Sequence, residues 1–459
     1  MTAPSTKGKV FGYLPDDVPP WWELIILGFQ HVLTMFPATV LVALLVGFDV
    51  STVLFASGVA TVVALVLSKL LGKKFIPLYY GSSFSYIAAT LALTRASFGE
   101  YAGVEAVRLA QVGIVATGVI NILVGVLIRY AGKKALDKVL PPIITGSVAL
   151  VIGVTLAGSA LTMAFGGDPS AEGTGPHLIV ALVTLLATIF FSVYLRKAGF
   201  FGLIPILLGA LVGYLVSIPF GLLDLTALRE ASWIQVPQFT FPAFGHPRAW
   251  EAVAAIAIIA IATIPESTAH LYQISLYVDR LADQLGKKRY QLDQLIGLNL
   301  VLDGIGDAIN GLLGGVAGTN YGENNSLMAI TRNYSGPVLI GAGVIAMLLG
   351  FVGKLAGLVN TVPVAVTGGL AIYLFGVIGI QGIALIQEKK VNLFDPRQLA
   401  VGAVITVVSI GGQIIGEGNI PIVVPGVFPN GLPAIATGAV CGILLNLVFL
   451  LFPQKNTEA

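Results

Sequence analysis

Few ionisable side chains lie inside the long apolar stretches of this 459-residue chain, and they limit the chemistry it could perform. Glu266 and His270 are four residues apart in one apolar segment, so on a helix they share a face. Glu323 follows Gly322 where an extended stretch gives way to a helical one. A charge at the centre of a bilayer costs at least about 2.5–3.5 kcal/mol, which favours a functional role for these residues.

Two carboxylates beside an imidazole could accept N–H donors from a ligand and could also bind and release a proton. This set suits a neutral, planar imide or amide that carries both C=O and N–H groups, whereas two carboxylates would repel a simple anion. Structural roles remain open, because Glu266 and His270 could be a packing pair and Glu323 could be a helix N-cap.

Other polar residues in apolar segments are weaker candidates. His31 with Gln30 is either a core hydrogen-bond partner or a site residue. Asp303 and Asp307 share one face of a glycine-rich segment, a pattern that favours a structural role. One cysteine, Cys441, and four histidines exclude an internal disulfide and argue against a metal site.

The composition places these residues in a membrane protein. The chain is 56% hydrophobic and 10% charged, with a mean hydropathy of +0.91. A soluble domain carries about 25% charged residues, so most of this surface does not face water. Since a spanning helix needs about 20 apolar residues, the sequence predicts an all-α integral membrane fold of about fourteen spans. These are 22–47, 51–71, 76–94, 107–130, 140–162, 177–195, 200–220, 249–277, 293–314, 317–333, 336–355, 361–386, 398–416 and 431–452.

The basic residues predict the orientation. With both termini cytoplasmic, 20 of the 25 Lys and Arg residues fall on the cytoplasmic side. The exceptions are Arg95, Arg108, Arg229, Arg248 and Lys354. Cytoplasmic loops are enriched in Lys and Arg, so we expect a multi-pass protein of the cell (inner) membrane with both termini inside.

A short internal similarity predicts two inverted repeats. The third segment begins its motif at Tyr80 and the tenth at Tyr321, and both read Tyr-Gly-x-x-x-Ser. Seven spans separate the copies, so the halves run in opposite directions across the membrane. The expected organisation is a tail at 1–21, a first repeat at 22–222 and a second at 249–452.

Both motif segments are predicted to be broken, with a short strand-like stretch followed by a half-helix. The half-helices should begin near Gly81 and Gly322, with their N-termini facing each other near the midplane. Helix N-termini carry free N–H donors and partial positive charge. A ligand between them would meet these donors beside Glu266 and Glu323. A carboxyl group there could take up a proton on one side of the membrane and release it on the other.

The energy source follows from what the sequence lacks. It contains no nucleotide-binding loop, so direct coupling to ATP is not expected. A proton or sodium gradient then remains to drive transport, and we predict the proton as coupling ion, without a cofactor. A passive channel and a membrane-embedded enzyme are the alternatives from other classes, although no metal-ligand cluster or Ser–His–Asp arrangement is evident.

These motifs resemble the nucleobase–cation symporter 2 family, also called nucleobase–ascorbate transporters, and within it the bacterial uracil permeases. The resemblance runs from Gln30 to about Leu450. Its specific parts are Gln30-His31, Tyr80-Gly81-Ser82-Ser83-Phe84, Glu266 with His270, and Gly322-Glu323-Asn324 continuing to Thr331-Arg332.

The resemblance implies a fourteen-span homodimer that takes a nucleobase, most simply uracil, and no nucleic acid. A core domain of spans 1–4 and 8–11 would move against a gate domain of spans 5–7 and 12–14. Phe84, Glu266, Gly322, Glu323 and Phe375 would bind the base, and Glu266 with His270 would couple the proton. The possible supporting residues are Gln30, His31, Ser83, Tyr321 and Asn324.

Two positions bear on the choice of substrate. Ser326 stands where the family usually has Gly, which leaves the local backbone and specificity open. Arg332 resembles the uracil branch, since the xanthine branch tends to carry Gly there. A xanthine or other purine symporter is therefore one alternative, and an anion transporter of the same fold is the other.

Overall fold

The computed structural model describes residues 12–131, 138, 140–195, 201–202, 204–416, 418–425 and 427–452. Part of the predicted tail, residues 1–11, lies outside this range. The same holds for seven basic residues used to predict the orientation, which are Lys7, Lys9, Lys133, Lys134, Arg196, Lys197 and Lys455.

The described residues of the first half form helices and one short strand. Its elements are α1 (Trp21–Val46), α2 (Val50–Gly72), β1 (Tyr80–Ser82), a 3-10 turn (Phe84–Tyr86), α3 (Ile87–Thr94), α4 (Val104–Ala131), α5 (Pro142–Thr155), α6 (Ala157–Ala164), α7 (Gly175–Tyr194), α8 (Pro205–Ser217) and α9 (Thr226–Glu230).

The second half repeats this character. Its elements are α10 (Ala249–Ala252), a π-helical turn (Val253–Ala257), α11 (Ala260–Gln284), a 3-10 turn (Leu292–Leu295), α12 (Ile296–Leu313), β2 (Gly318–Asn320), α13 (Gly322–Thr331), α14 (Gly336–Leu349), α15 (Gly353–Asn360), α16 (Val364–Glu388), α17 (Pro396–Gly416), β3 (Asn419–Ile420), β4 (Leu432–Pro433) and α18 (Ala434–Leu451).

Ten helices among the described residues are long and apolar enough to cross a membrane. Three shorter apolar helices accompany them, at Phe84–Thr94, Pro205–Ser217 and Gly336–Leu349. The protein is therefore a mostly helical, multi-pass membrane protein. In such proteins the backbone polar groups must be satisfied within the helices, because hydrocarbon offers no hydrogen bonds.

Glycines allow the central helices to pack closely. A Cβ added at Gly118 on α4 would lie 2.5 Å from the carbonyl oxygen of Gly304 on α12. About two turns further along, a Cβ at Gly125 would lie 2.6 Å from the carbonyl oxygen of Gly297. Small residues let membrane helices approach closely and gain dispersion contacts, which replace the hydrophobic driving force that is missing between helices in lipid.

The two short strands β1 and β2 form an antiparallel ribbon in the interior. Tyr80 pairs with Asn320, and Ser82 pairs with Gly318. All six strand residues are buried. Because the strands are antiparallel, the chain leaves the ribbon in opposite directions, toward α3 after Ser82 and toward α13 after Asn320.

The ribbon corrects one prediction about where a helix begins. We expected a half-helix from Gly81, but Gly81 lies inside β1, and the helical backbone begins with the 3-10 turn at Phe84. The hydroxyl oxygen of Ser83 accepts a hydrogen bond from the backbone N–H of Ser85, which caps this start. The sequence motif alone did not show that strand pairing holds residues 80–82 extended.

Candidate functional site

Helix α11 presents Glu266 and His270 on one face. Glu266 is exposed and His270 is half-buried, whereas the flanking Ser267 and Thr268 are buried. The carboxyl group of Glu266 is therefore accessible, while the polar side chains next to it are buried. A small number of placed polar groups in an apolar frame is typical of a small-molecule site.

His270 lies directly against the start of α13. A Cβ added at Gly322 would lie 2.8 Å from Nε2 of His270, so only glycine leaves room for the ring. Glu323 follows at once and is half-buried, and its charge interacts with that of Glu266. The structure thus brings together Glu266, His270, Gly322 and Glu323, which the sequence had selected from segments over 50 residues apart.

The other ring nitrogen of His270 is held by β2. Nδ1 lies 2.9 Å from the backbone oxygen of Asn320 and 2.8 Å from its side-chain Oδ1. The Nδ2 group of Asn320 donates to Ser267 Oγ at 2.7 Å. The Nδ2 group of Asn299 donates to the same Ser267 oxygen at 2.9 Å. These polar side chains form a connected set behind the accessible face of α11.

Three of these residues, Ser267, Asn299 and Asn320, were not selected from the sequence. Each is buried, and each lies in a segment that otherwise reads as apolar or glycine-rich. A buried amide costs free energy unless it is hydrogen-bonded, so polar residues at such positions point to a network. Polar residues in such segments indicate a hydrogen-bond network, but the sequence does not show which of them bond to each other.

The supporting pair His31 and Asn324 connects α1 to α13. Asn324 Nδ2 donates to His31 Nδ1 at 3.0 Å and to the His31 backbone oxygen at 3.1 Å. His31 and Asn324 are buried, and Gln30 is half-buried with a buried Oε1 that has no hydrogen-bond partner. The pair thus fixes the beginning of α13 against α1, one residue beyond Glu323.

Tyr321 occupies the N-cap position of α13 without capping it through its side chain. Its hydroxyl group hydrogen-bonds to the hydroxyl group of Thr39 at 2.8 Å. Its ring covers Gly81, where an added Cβ would lie 2.5 Å from a ring carbon. Ser83 is buried at the corresponding turn after β1, and Phe84 is half-buried there.

Asp307 has the structural role that its spacing favoured. Its Oδ1 accepts from the backbone N–H of Gly318 at 2.7 Å, and its Oδ2 accepts from Asn121 Nδ2 at 3.0 Å. It therefore attaches the ribbon to both α12 and α4. Asp303 is also buried.

Phe375 lies on a different set of helices. It is 1% exposed in α16, and its backbone oxygen lies close to Gly153 of α5. Among the described residues, no group of three His, Cys, Asp or Glu side chains could hold a metal ion.

Solved structures with the same fold are membrane transport proteins. The chain matches the transmembrane domain of a cyanobacterial bicarbonate transporter, BicA, with a TM-score of 0.56 at 16% identity, over 95% of this chain and 98% of the other. It matches SLC26A9 with a TM-score of 0.63 at 13% identity, over 94% of this chain and 66% of that one. At these identities the likeness establishes the fold alone.

The sequence comparisons establish the family. Residues 22–417 match the profile of the Permease family. The uracil permease of Bacillus caldolyticus is 38% identical over 443 residues, 96% of this chain and 95% of that protein. The uracil permease of Escherichia coli K12 is 35% identical over 446 residues, with the same shares. The chain therefore belongs to the nucleobase–ascorbate transporter family of permeases, and it is a transport protein and not an enzyme.

Proposed function

We propose that the protein is a secondary transporter that carries a nucleobase, with uracil as the favoured base, together with a proton. The observation that carries this proposal is the meeting of Glu266, His270 and Glu323 around Gly322. The similar proteins that are named as uracil permeases support the choice of base.

The chemistry of the site matches a planar imide. The carboxylates of Glu266 and Glu323 accept the ring N–H groups, while the backbone N–H groups at Phe84 and Gly322 donate to the carbonyl oxygens. Polar groups left unpaired at a partly buried site are costly, so a ligand with matching donors and acceptors is selected.

An anion transporter of the same fold is the competing proposal, because the solved structures with this fold include a bicarbonate and an anion transporter. The charges argue against it here, since an anion between Glu266 and Glu323 would be repelled by both. A xanthine or other purine symporter fits the same donors and acceptors, and substrate competition separates it from a uracil symporter.

The proposed fourteen spans consist of the ten long helices and four shorter ones. Adding the three shorter apolar helices and α13 gives one helical segment for each of the fourteen spans proposed from the sequence. Two inverted repeats are supported by the packing, in which corresponding pairs recur. Helix α4 packs on α12 as α14 packs on α2, and α7 packs on α8 as α17 packs on α18.

The same packing supports a core domain of spans 1–4 and 8–11 and a gate domain of spans 5–7 and 12–14. Helix α12 packs on both α4 and α2, and α14 packs on α2, while α5 and α16 form the central pair of the other set. A cavity of about 430 Å³ lies between α3 and the beginning of α18. Movement of one domain along this boundary is the proposed route of alternating access.

Proton coupling is assigned to Glu266 and His270. When protonated, Glu266 can donate to a carbonyl oxygen of the base, and when ionised it only accepts, so base and proton occupancy are linked. The other charged groups that act on Glu266 are Glu323 on α13 and Asp303 on α12. The proton is the only coupling ion proposed, with no cofactor.

We further propose an inner-membrane homodimer with both termini cytoplasmic. The bias of basic residues supports the orientation, and the dimer comes from the family resemblance. Cysteine introduced at position 3 or 457 should resist a membrane-impermeant reagent added to intact cells. Labelling from outside would overturn the orientation while leaving the transport proposal intact.

The experiment that tests the function uses purified protein in proteoliposomes. Radiolabelled uracil should bind, and an inward proton gradient should drive its accumulation against its own gradient. Competition by unlabelled xanthine and by bicarbonate distinguishes the alternatives. Gradient-independent equilibration would indicate a passive pore, and displacement by bicarbonate would support the anion transporter.

A further inference from the structure

The hydrogen bonds behind His270 run in one direction, and donor counting fixes that direction. A backbone oxygen can only accept, so the contact between His270 Nδ1 and the Asn320 carbonyl requires that Nδ1 carry the proton. The second acceptor of this N–H is Asn320 Oδ1. His270 Nε2, which faces Gly322, is therefore the bare nitrogen of the neutral ring.

The same count of donors and acceptors gives the direction of the next hydrogen bonds. With its Oδ1 used by His270, the Asn320 amide turns its Nδ2 donor to Ser267 Oγ. That oxygen also accepts from Asn299 Nδ2, so both of its lone pairs are occupied. The hydroxyl proton of Ser267 must then be donated onward, away from both amides.

We propose that Asn320 and Ser267 are positioning residues that hold His270 with its bare Nε2 toward Gly322 and Glu323. This proposal rests on the proposed function and names Nε2 as the atom that takes up the transported proton. The chain of side chains orients the ring and does not conduct the proton, because an amide in the middle does not pass a proton on at neutral pH.

Each residue of this network keeps the next side chain from rotating. If Ser267 could not accept from Asn320, the Asn320 amide could rotate and present Nδ2 to His270. A donor would then face the donor at Nδ1, and the ring would be free to flip and turn Nε2 away from the site. Burial of Ser267 and Asn320 keeps water from substituting for the missing partner.

His31 provides an internal reference of the opposite kind. Its Nδ1 faces the Nδ2 donor of Asn324, so that nitrogen is the acceptor and the neutral ring carries its proton on Nε2. Asn324 Nδ2 also donates to the His31 backbone oxygen, which fixes the orientation of this amide. The two histidines should therefore show opposite tautomers.

The first test reads the tautomers directly, without transport. Protein labelled with ¹⁵N-histidine is reconstituted in lipid, and solid-state NMR assigns the signals by comparison with His270→Gln and His31→Gln. At a pH where the rings are neutral, His270 should show Nδ1–H with a bare Nε2, and His31 should show the reverse. A protonated Nε2 on neutral His270 overturns the proposal.

The second test compares Ser267→Ala with Asn325→Ala and Ser267→Thr. Asn325 donates to the backbone oxygen of His270, so its removal is a matched loss of one side-chain hydrogen bond at the same residue. Ser267→Ala should keep uracil affinity within about threefold, lose tenfold or more of proton-driven accumulation, and show both His270 tautomers. Ser267→Thr, which retains the hydroxyl group, should restore accumulation.

The outcomes separate this proposal from the proposed function. Equal losses of accumulation in Ser267→Ala and Asn325→Ala, with an unchanged tautomer, would make the network merely structural and overturn the positioning role. If the parent protein bound no nucleobase but His270 kept the Nδ1–H tautomer, the orientation would stand and the assigned substrate would fail.

Discussion

The two places where the interior ribbon turns into a helix have similar backbones and different chemistry. After β1, Ser83 caps the helical turn with its own hydroxyl group. After β2, Tyr321 provides no side-chain cap, and Glu323 stands in the first turn of α13. In the turn after β1, a side chain therefore accepts from one of the backbone N–H groups. In the turn after β2, backbone N–H groups stay free beside the carboxylate of Glu323, as a ligand site requires.

The comparison also changes the correspondence between the two halves. The sequence motif aligns Tyr80 with Tyr321, but Tyr80 opens a strand and Tyr321 follows one. Matching the strand ends instead places Ser83 opposite Tyr321, Phe84 opposite Gly322 and Ser85 opposite Glu323. By this register, one half supplies a serine where the other supplies the acid.

The largest effect is expected from Glu323→Ala. Removing this half-buried carboxylate leaves an N–H group of the base without its acceptor, which should weaken uracil binding by roughly 1–3 kcal/mol or more. Equilibrium binding of labelled uracil measures this loss. Ser85→Ala, at the corresponding position of the first turn, is the matched control and should bind as the parent does. Unchanged binding in Glu323→Ala would remove this residue from the site.

His270→Ala should separate binding from coupling. The His270 ring lies beside Gly322, at the turn that follows β2. Its loss should leave part of the base affinity while abolishing accumulation driven by a pH gradient. Binding and uptake are measured on the same reconstituted variant over a range of pH. A full response of uptake to the gradient would make His270 structural and would direct attention to Glu323 as the proton carrier.

Gly322→Ala should have an intermediate effect. The new Cβ would lie 2.8 Å from His270 Nε2, so either the ring or the beginning of α13 must shift by several tenths of an ångström. We expect uracil affinity to fall about tenfold, by displacement of both Glu323 and His270. Gly376→Ala is the control, because nothing lies within 4 Å of the added methyl group. Equal affinities for the two variants would contradict the close contact.

Ser83→Ala should have the smallest effect and should fall on stability. Loss of a helix cap usually costs about 1 kcal/mol, and here the N–H of Ser85 loses its hydroxyl acceptor. Thermal unfolding in detergent should shift slightly downward, while uracil binding stays close to that of the parent. A large loss of binding without a loss of stability would assign Ser83 a direct role at the site.

The spanning helices and several residues of the candidate site could be predicted from the sequence. In a chain of 56% apolar residues, long hydrophobic stretches mark the spanning helices, and any ionisable residue within them stands out. Glu266, His270 and Glu323 were selected in this way, and the motifs around them identified the family that the comparisons then established.

The tertiary structure decided what depends on partners distant in the chain. Pairing with Thr319 holds Gly81, a predicted helix start, in strand β1. The tautomer of His270 depends on the carbonyl oxygen of Asn320, 50 residues away, and the role of Ser267 depends on amides from two other elements. Apolar stretches record which residues are buried, but hydrogen-bond direction is set only when donors and acceptors from separate segments meet.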